Sequence, residues 1–510
     1  MHDKKTIPPG WVWTTLGECA SILDSQRVPI NSEEREERIA NKPQSMLCPY
    51  FGATGQVGWI DDYLFDEELV LLGEDGAPFL DANKPKAYLI RGKSWVNNHA
   101  HVLRAISDAS LNAFLLHYLN IFDYHGYVTG TTRLKLNQAQ MKKIPIPLAP
   151  LPEQRRIVAK IEELFTRLEA GVAALKRVQA ALKRYRAAVL KAACEGRLVP
   201  QDPHDESASK LLARILAERE SRRGDARRRP GAGARGAGAR PAPTPDGLPE
   251  LPRGWEWATV EQLAWDSGYG TSQKCDYESS GPPVLRIPNI VNGGFDFNDL
   301  KFATKADELD EAGALAPGDM LIIRTNGSRD LIGRVGLVRQ PFEKPYFFAS
   351  YLIRYRLVSL EVGIWLSTIW DADSNRRNIE QIAATSAGQY NVSVGSLNKI
   401  PAPLPPLTEQ RRIVAEVERR LSVVQELEQT VRANLARAER LRQAILKRAF
   451  EGKLVPQDPA DEPAERLLER IQANRVGATL AVVRDRAGAG RAGARPAPTT
   501  NAAGRKRRAK

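Results

Sequence analysis

Few residues in this sequence have the types and spacing that metal or redox chemistry requires. The four cysteines lie far apart, at Cys19, Cys48, Cys194 and Cys275. Zinc knuckles and disulfide frameworks need closely spaced cysteines, so we expect neither. His99 and His101 could supply half of a metal site, but no acidic or cysteine partner stands at metal-ligand spacing from them. We therefore interpret them as two histidines on one face of a strand, with no metal bound.

Several motifs with a known catalytic mechanism are also missing from the sequence. It contains no GxxxxGK[ST] nucleotide loop, no GxSxG nucleophile elbow and no HExxH, and no Asn-Pro-Pro-Tyr or Asp-Pro-Pro-Tyr segment of the adenine methyltransferase type. Glu33, Glu34, Glu36 and Glu37 form an acidic run that we interpret as a solvated face. A divergent nuclease site of scattered acidic and lysine side chains stays open, but the sequence predicts a chain that performs no chemistry itself.

Polar and basic side chains in predicted loops are the remaining candidates for a binding surface. Side chains of these types hydrogen-bond to the base edges of nucleic acids. In the first half of the chain the candidates are Thr54, Gln56, Asn97, Asn98, His99, Thr131, Thr132 and Arg133. In the second half they are Arg324, Thr325, Asn326, Ser328, Arg329, Arg376, Arg377, Gln389, Tyr390 and Asn391. Taken singly, each residue fits a turn or surface position better than a base contact. Whether they form a binding surface depends on the secondary-structure elements that position them.

Those elements alternate between strand-like and helix-like patterns. Apolar runs at 69–72 and 320–323 predict buried strands, each ended by an Asp-Gly or Asn-Gly turn. Helical patterns lie near 111–119 and 362–370. We therefore predict two globular modules of mixed α and β content, which is an α+β fold class.

The two halves of the chain share a repeated frame. Pro-Gly-Trp-Val-Trp at 9–13 returns as Arg-Gly-Trp-Glu-Trp at an offset of 244. Glu-Gln-Arg-Arg-Ile-Val-Ala at 153–159 and Val-Pro-Gln-Asp-Pro at 199–203 both return at an offset of 256. Between the motifs, segments 14–142 and 258–398 look largely dissimilar. A duplicated enzyme would repeat its active-site residues, whereas a duplicated reader of two targets would repeat its frame and vary its reading surface.

A long helix is predicted after each module, because apolar residues recur at alternating spacings of four and three, the heptad period of a coiled-coil seam. In the first helix the seam residues are Ile157, Ile161, Leu164, Leu168, Leu175, Val178 and Leu182. In the second helix they are Ile413, Val417, Val424, Leu427, Val431, Asn434, Leu441 and Ile445. Polar Asn434 and Arg420 interrupt this seam, as residues that fix the register do.

Each predicted helix has about 40 residues and a length of about 60 Å. We predict that the two pair as an antiparallel coiled coil with the modules at opposite ends; the alternative is that each helix packs on its own module. Pro152 suits the first turn of one helix and Thr408 the N-cap of the other. Gly196 and Gly452 are placed to stop the helices. A short amphipathic helix is predicted after each stop.

The net charge of +13 is concentrated in two segments. Residues 221–240 carry +6 and residues 484–510 carry +8, so the rest of the chain sums to about −1. Both segments are rich in Gly, Ala, Arg and Pro, which predicts disorder. They would attract nucleic acid without sequence preference, or serve only as solvated tails. The sequence has no run of about 18 apolar residues and no signal-peptide pattern at its start, so we expect a soluble, cytoplasmic protein.

The repeated motifs resemble those of the specificity subunit of type I restriction–modification systems. The resemblance is carried by the Gly-Trp-x-Trp opening of each half, Ile-Pro-x-Pro-Leu followed by Pro-Leu-x-Glu-Gln-Arg-Arg-Ile-Val, and Glu-Gly-[Arg/Lys]-Leu-Val-Pro-Gln-Asp. In the first module, segments 50–55, 73–77 and 97–101 also look typical of the family's target recognition domains. The resemblance covers residues 7–220 and 248–472, and the Ala/Gly/Arg/Pro segments depart from it.

The resemblance implies a non-catalytic subunit in which each target recognition domain reads one half of a bipartite, asymmetric double-stranded DNA site. The paired helices would set the gap between the halves. Two modification subunits would bind the helices and methylate adenine with S-adenosylmethionine. Restriction subunits would add translocation and cleavage with ATP and Mg²⁺. This chain itself is expected to bind no cofactor.

The expected domain plan follows from the repeat. It places target recognition domain 1 at 1–150, a first helical region at 151–222, a disordered linker at 223–247, target recognition domain 2 at 248–406, a second helical region at 407–475 and a disordered basic tail at 476–510. Two alternatives stay open: a coiled-coil scaffold or adaptor without sequence-specific DNA binding, and a stand-alone nuclease or methyltransferase.

Overall fold

The computed structural model describes residues 7–228, 248–386 and 389–473. The predicted basic tail at 476–510, and the predicted linker from residue 229 to residue 247, lie outside these ranges. The chain divides into two compact units, one of residues 1–175 and 433–510 and the other of residues 176–432. These units cut across the predicted linear boundaries, because each contains one module together with a part of both long helices.

The module of the first unit consists of two four-stranded sheets, one two-stranded sheet and short helices, which confirms the predicted mixture of α and β structure. Its strands are β1 Val12–Thr15, β2 Ala20–Ile22, β3 Cys48–Gly52, β4 Gly55–Ile60, β5 Phe65–Asp66, β6 Leu69–Gly73, β7 Ala87–Ile90, β8 Lys93–Val96, β9 Ala100–Ala105 and β10 Pro145–Leu148. Its helices are α1 Leu16–Cys19, α2 Ser32–Ile39, α3 Asn112–Ile121 and α4 Gln138–Lys142.

Strand β6 is the centre of the first module. It is buried along its whole length and lies between β9 and β7 in the sheet of order β2-β9-β6-β7. A continuous apolar run suits a strand that is covered on both faces, and the strand predicted at 69–72 is confirmed. Helix α3, which confirms the helix predicted near 111–119, packs on β6 and β7 with Phe114, Leu115 and Leu119 fully buried.

The module of the second unit has the same kind of architecture with different strands. They are β11 Glu256–Thr259, β12 Ala264–Tyr269, β13 Cys275–Asp276, β14 Pro283–Leu285, β15 Ile290–Val291, β16 Gly294–Phe295, β17 Lys301–Ala303, β18 Asp319–Ile323, β19 Thr325–Asn326, β20 Val335–Leu337, β21 Phe347–Phe348, β22 Leu352–Leu357, β23 Ala384–Ser386, β24 Gln389–Asn391 and β25 Pro401–Leu404. Helices α7 Leu360–Ile369, α8 Asp373–Ile382 and α9 Val394–Leu397 complete the module. Strand β18 and helix α7 confirm the strand predicted at 320–323 and the helix predicted near 362–370.

The repeated edges of each module pair with each other in the same register. Strand β1 runs antiparallel to β10 with Trp13 opposite Pro147, and β11 runs antiparallel to β25 with Trp257 opposite Pro403. The Gly-Trp-x-Trp and Ile-Pro-x-Pro-Leu motifs therefore close each module into a unit whose first and last strands are hydrogen-bonded. This explains why these two motifs repeat while the sequence between them differs.

The two long helices have equal length. They are α5 Leu151–Cys194 and α10 Leu407–Phe450, each of 44 residues and so about 66 Å long. Each is followed by a shorter helix, α6 Ala208–Arg228 and α11 at residues 464–473. The linker predicted from residue 223 is thus helical as far as Arg228. Thr408 is not the N-cap, because α10 begins one residue earlier; its hydroxyl instead donates a hydrogen bond to Asp205.

Gly196 and Gly452 end the long helices as predicted. Both have positive φ, 62° and 67°, and the Arg197 N–H donates to the Ala192 carbonyl at 2.9 Å, which is the bond that closes a Schellman end. A Cβ atom on Gly196 would lie 2.5 Å from Cγ of Pro252. Glycine is therefore required twice over at this position, by its backbone conformation and by the close approach of the module.

Burial of the predicted seam is strongest near the ends of the helices. In the first unit Ile157 and Ile161 share a core with Trp11, Phe114 and other residues of the module. In the second unit Ile413 and Val417 share a core with the second module. Each helix therefore begins on its own module, as the alternative held, but ends on the module of the other half, where Val189 of α5 and Ile445 of α10 are buried.

Away from the modules, the seam is only partly covered. Leu182, Val424 and Val431 are buried, and Leu168 and Leu175 are half-buried. Ile445 and the half-buried Leu164 instead pack in the core of the first module. Val178, Leu427, Asn434 and Leu441 are exposed, with 44% of Val178 and 48% of Leu441 accessible. The two long helices are nevertheless in contact in the first unit, where Glu169 of α5 forms an ion pair with Arg442 of α10 at 3.3 Å.

The conserved spacing of the repeat places motifs of one half against motifs of the other half. Asp461, which follows α10, binds Arg156 of α5 at 2.6 Å in the first unit. Its counterpart Asp205, which follows α5, binds Arg412 of α10 at 2.5 Å in the second unit. The pairing is reciprocal, so each unit is completed by a segment from the other half of the sequence.

A buried tryptophan–glutamate hydrogen bond accompanies each of these ion pairs. Nε1 of Trp11 donates to Oε2 of Glu153 at 2.9 Å, and Nε1 of Trp255 donates to Oε2 of Glu409 at 3.0 Å. Burial raises the pKa of Glu153 and Glu409 despite these hydrogen bonds. The first tryptophan of each Gly-Trp-x-Trp motif thus attaches a module to the first turn of its helix.

Candidate nucleic-acid interface

In the first module, three loops that are far apart in sequence come together. The β3–β4 turn carries Thr54, the turn between β8 and β9 carries His99, and a third loop carries Arg133. The Asn97 N–H donates to the Phe51 carbonyl at 3.0 Å, which joins the first two loops. The Gly76 N–H donates to the Leu134 carbonyl at 3.0 Å, which joins the third loop to the end of β6. The structure therefore gathers the first-half candidates around one group of loops.

Asp75 holds the centre of this group. Its Oδ1 lies 2.8 Å from Nδ1 of His99 and 2.8 Å from Nη2 of Arg133. A single carboxylate therefore orients two side chains that can donate to base edges or phosphates. Arg133 stays 61% exposed, so its remaining N–H groups face solvent. Asp75 was not among the predicted residues, although it belongs to the 73–77 segment that supports the family resemblance.

The other first-half candidates divide by exposure. Thr54, Gln56, Asn98, Thr131 and Thr132 are exposed. Asn97 is only 8% exposed, and its Oδ1 accepts the backbone N–H of His99 at 2.9 Å. The buried Asn97 side chain therefore stabilises the turn, while the exposed candidates carry the polar groups that are accessible to a ligand.

Beneath these loops lies a buried ionic network centred on His101. Its Nδ1 is 2.7 Å from Oδ2 of Asp24, and its Nε2 is 2.8 Å from the Leu136 carbonyl oxygen. Because both ring nitrogens face acceptors, the imidazolium form satisfies both contacts, whereas neutral imidazole has only one N–H. Burial alone would raise the pKa of Asp24, but the His101 hydrogen bond and charge, together with hydrogen bonds from the Val102 N–H and the Gln138 amide, lower that pKa.

Asp24, Glu74 and His101 are close enough to suggest a metal site, but cations already neutralise the two acids. Their potential ligand atoms lie within 4.8 Å of one another. Nη1 of Arg27 is 2.9 Å from Oε2 of Glu74, and Nζ of Lys135 is 3.3 Å from Oε1 of the same residue. With both His101 nitrogens engaged as well, the cluster fits an ion-pair network. Asp24 and Glu74 could not be predicted as partners of His101 from the sequence, because Asp24 lies 77 residues away along the chain.

In the second module, five of the candidates belong to one small sheet, and Arg324 directly precedes its first strand. Strand β19 pairs with β24, placing Thr325 opposite Asn391 and Asn326 opposite Tyr390, and β24 pairs with β23. The guanidinium of Arg324 lies 4.5 Å above the ring of Tyr269. Tyr269 is 49% exposed and was not predicted as a site residue; only the fold brings it to Arg324.

The remaining second-half candidates lie at other places in the module. Arg329 pairs with Glu380 at 3.3 Å, while exposed Ser328 follows the Asn326 turn. Arg376 donates to the Ile332 carbonyl at 2.7 Å and so supports the loop before β20. Arg377 donates to the Asp373 carbonyl at 3.2 Å and lines a cavity of about 610 Å³ together with Trp257.

The fold and these loop clusters define a class of protein: a two-module recognition protein on a repeated helical frame. Residues 8–176 match the family model described as the type I restriction modification DNA specificity domain. Among curated proteins, the chain is 25% identical to the EcoKI specificity subunit of Escherichia coli K12, covering 71% of this chain and 72% of that protein. It is 24% identical to the EcoDI specificity subunit of Escherichia coli, covering 92% and 96%.

A solved structure has the same fold. It comes from a study of assembly and conformational transition of the type I R-M system, and it is 20% identical with a TM-score of 0.57, covering 88% of this chain and all of that one. The family model over the first module and the curated relatives over most of the chain make it similar to the specificity subunits of type I restriction–modification systems. Across the residues described, no helix is long and apolar enough to span a bilayer.

Proposed function

We propose that this chain is the non-catalytic DNA-reading subunit of a type I restriction–modification complex, and that each module reads one half of a bipartite, asymmetric site. The observation that carries the proposal is the contrast between frame and inserts. The frame pairs its strands in identical register in both modules. The inserts present different polar groups, an Asp75–His99–Arg133 cluster in one and an Arg324–Tyr269 pair beside a three-stranded sheet in the other.

The exposed candidates in each module would read base edges, and the buried ones would position them. Arg133 and Arg324 have guanidinium groups that suit the acceptors on a guanine edge. Other basic side chains would contact phosphates, which fix orientation without reading sequence. S-adenosylmethionine, ATP and Mg²⁺ would be used by modification and restriction subunits, of which two modification subunits would match the two-fold repeat of the frame.

The test is a module exchange in a cell that contains the modification subunits. Residues 14–142 are replaced with the corresponding segment of a relative, and methylated adenines are mapped across the genome by single-molecule sequencing. We expect one half of the methylated motif to change and the other half and the gap to persist. Simultaneous loss of both halves would refute independent reading.

A matched experiment replaces residues 258–398 and should change only the opposite half of the motif. An unaltered motif in both exchanges would favour a scaffold that leaves reading to another subunit. Purified chain alone, incubated with S-adenosylmethionine or with Mg²⁺ and DNA, should transfer no methyl group and cut no strand; turnover would refute the assignment of chemistry to the partners.

A further inference from the structure

The charge along helix α5 changes abruptly near its middle. From residue 151 to residue 169 the helix has four basic and four acidic side chains, and from residue 170 to residue 194 it has six basic side chains and no acidic one. The six are Lys176, Arg177, Lys183, Arg184, Arg186 and Lys191. The near-zero sum of charges outside the two Arg-rich segments hides this local excess.

The six basic side chains are all exposed, and most of them form one stripe. Lys176 and Lys183 are seven residues apart, as are Arg177 and Arg184, and seven residues bring a helix within about 20° of the same direction. Leu182 and Val189, which are buried, point to the other side. The stripe therefore faces away from the covered side of the helix.

Five of the six side chains lack an ion pair within the described part of the chain, since only Lys191 has an acid nearby, with Nζ 3.9 Å from Oε1 of Glu195. The first half of the same helix is different, because Lys160 and Arg167 both pair with Glu163, at 2.9 and 2.7 Å. No acidic side chain in the described part of the second unit neutralises the other five basic side chains. A polyanion could therefore bind them without breaking an existing ion pair.

The equivalent part of α10 shows that the excess is specific to α5. Positive charge recurs at the same frame positions, as Arg432, Arg440, Arg442 and Lys447. Three of these have acids within 4.0 Å: Arg432 has Glu428, Arg442 has Glu169 and Lys447 has Glu451. The stripe on α5 is thus the larger unpaired cationic surface of the two helices.

We propose that this stripe, from Lys176 to Lys191 on helix α5, is a second DNA-contacting surface that binds phosphates of the duplex on which the modules act. The inference rests on the proposed function. Lys and Arg side chains seven residues apart are separated by about 10 Å along the helix, close to the screening length at physiological salt. Their mutual repulsion is therefore modest in the free protein, while each can still neutralise one phosphate.

Such a surface would add affinity without sequence preference. Each phosphate that is neutralised releases counterions, and the slope of log K against log salt changes by about 0.9 for each contact. The stripe would hold DNA equally whether or not the modules meet their own bases. Its loss should weaken cognate and non-cognate binding by the same factor.

The experiment compares two variants of the full chain, each assembled with its modification subunits, and each losing four positive charges. The test variant is Lys176→Gln, Arg177→Gln, Lys183→Gln and Arg184→Gln. The control variant is Lys160→Gln, Arg167→Gln, Arg411→Gln and Arg419→Gln, whose side chains are exposed and ion-paired. Affinity for duplexes with and without the methylated motif is measured by fluorescence anisotropy from 50 to 300 mM salt.

We expect the salt slope of the test variant to be less steep than that of the parent by about 3 to 4, and the control slope to stay within about 1 of the parent. A charge-preserving variant, Lys176→Arg with Lys183→Arg, should retain the parental slope, which guards against a folding defect in the test variant. Equal slopes for test and control variants would overturn the proposal.

Two further outcomes separate this proposal from its rivals. If the test variant no longer co-purifies with the modification subunits while the control variant does, the stripe binds an acidic protein surface and the DNA proposal is overturned. If the parental complex shows no preference for its motif, the proposed function fails. The slope comparison on non-cognate duplex still decides the phosphate contact in that case.

Discussion

Replacing His101 with leucine should destabilise the first module and leave the second module unchanged. His101 is 1% exposed and bridges the Asp24 carboxylate and the Leu136 carbonyl. In the His101→Leu variant, Asp24 stays buried, with 6% of its side chain exposed, and loses its nearest cationic partner. The Leu136 carbonyl also loses a donor, which loosens the loop that follows Arg133.

The size of the effect follows from what Asp24 retains. Removing one member of a buried ion pair costs about 3 to 5 kcal/mol. Asp24 still accepts the Val102 N–H at 2.9 Å and the Gln138 amide at 3.0 Å, and Arg27 lies 3.6 Å away. We therefore expect the lower end of the range, about 3 kcal/mol, which accelerates hydrogen exchange in amides that require module opening by about a hundredfold.

Hydrogen exchange with mass spectrometry on the full chain reads each module separately. Peptides that cover β9 and α3 should exchange faster in the variant, while peptides that cover β18 of the second module provide an internal control. His125→Leu is the matched substitution, because His125 is 70% exposed and its partner Asp123 is 62% exposed. Exposed pairs of this kind contribute less than about 1 kcal/mol.

A double variant tests the ionic nature of the contact. Asp24→Asn combined with His101→Leu removes both charges and leaves no uncompensated carboxylate, so the double variant should be more stable than His101→Leu alone. If the single variant lost less than 1 kcal/mol, or if the double variant were the less stable of the two, the reasoning about a buried charged pair would be refuted.

Two further predictions follow from the helical frame. Gly196→Ala should lower the free energy of unfolding measured by urea titration, because φ is 62° and the new Cβ would lie 2.5 Å from Cγ of Pro252. Gly171→Ala, inside α5 with open space around it, should raise the free energy of unfolding by about 1 kcal/mol. An equal effect of both substitutions would contradict the close approach. The Arg412 guanidinium lowers the pKa of Asp205, so the stabilisation from this pair is present above the ordinary aspartate range and is lost as pH falls through the folded-state pKa. Asp205→Asn should accordingly flatten the acid limb of the stability–pH curve measured by urea titration, and an unchanged limb would count against the pairing.

Local patterns in the sequence were sufficient to predict the regular elements. Continuous apolar residues at 69–72 required a strand covered on both faces, and the heptad pattern after Glu153, broken only at Gly171, required a helix of about the observed length. Glycine marked the ends of both long helices, because only glycine adopts a positive φ there without strain. These signals are local, so one sequence was enough to detect them.

Candidate site residues were harder to assess, because exposure depends on contacts between distant segments. Asn97 has the same residue type and a similar sequence setting as Asn98, yet it is buried under a turn while Asn98 is exposed. Asp75 and Tyr269 were missed for the same reason. A carboxylate after a glycine-ended strand, or a tyrosine on an edge strand, has no distinguishing sequence signal until its partner is known.

By itself the sequence determined a duplicated frame, with fixed helix lengths and two different inserts, because repeat offsets and helix periodicity are properties of the linear chain. Only the tertiary structure decided how the repeated motifs meet. Arg156 pairs with Asp461, 305 residues away, and not with the Asp205 of its own half. The physical reason is that α5 and α10 run antiparallel in each unit, so the segment that follows one helix arrives at the start of the other.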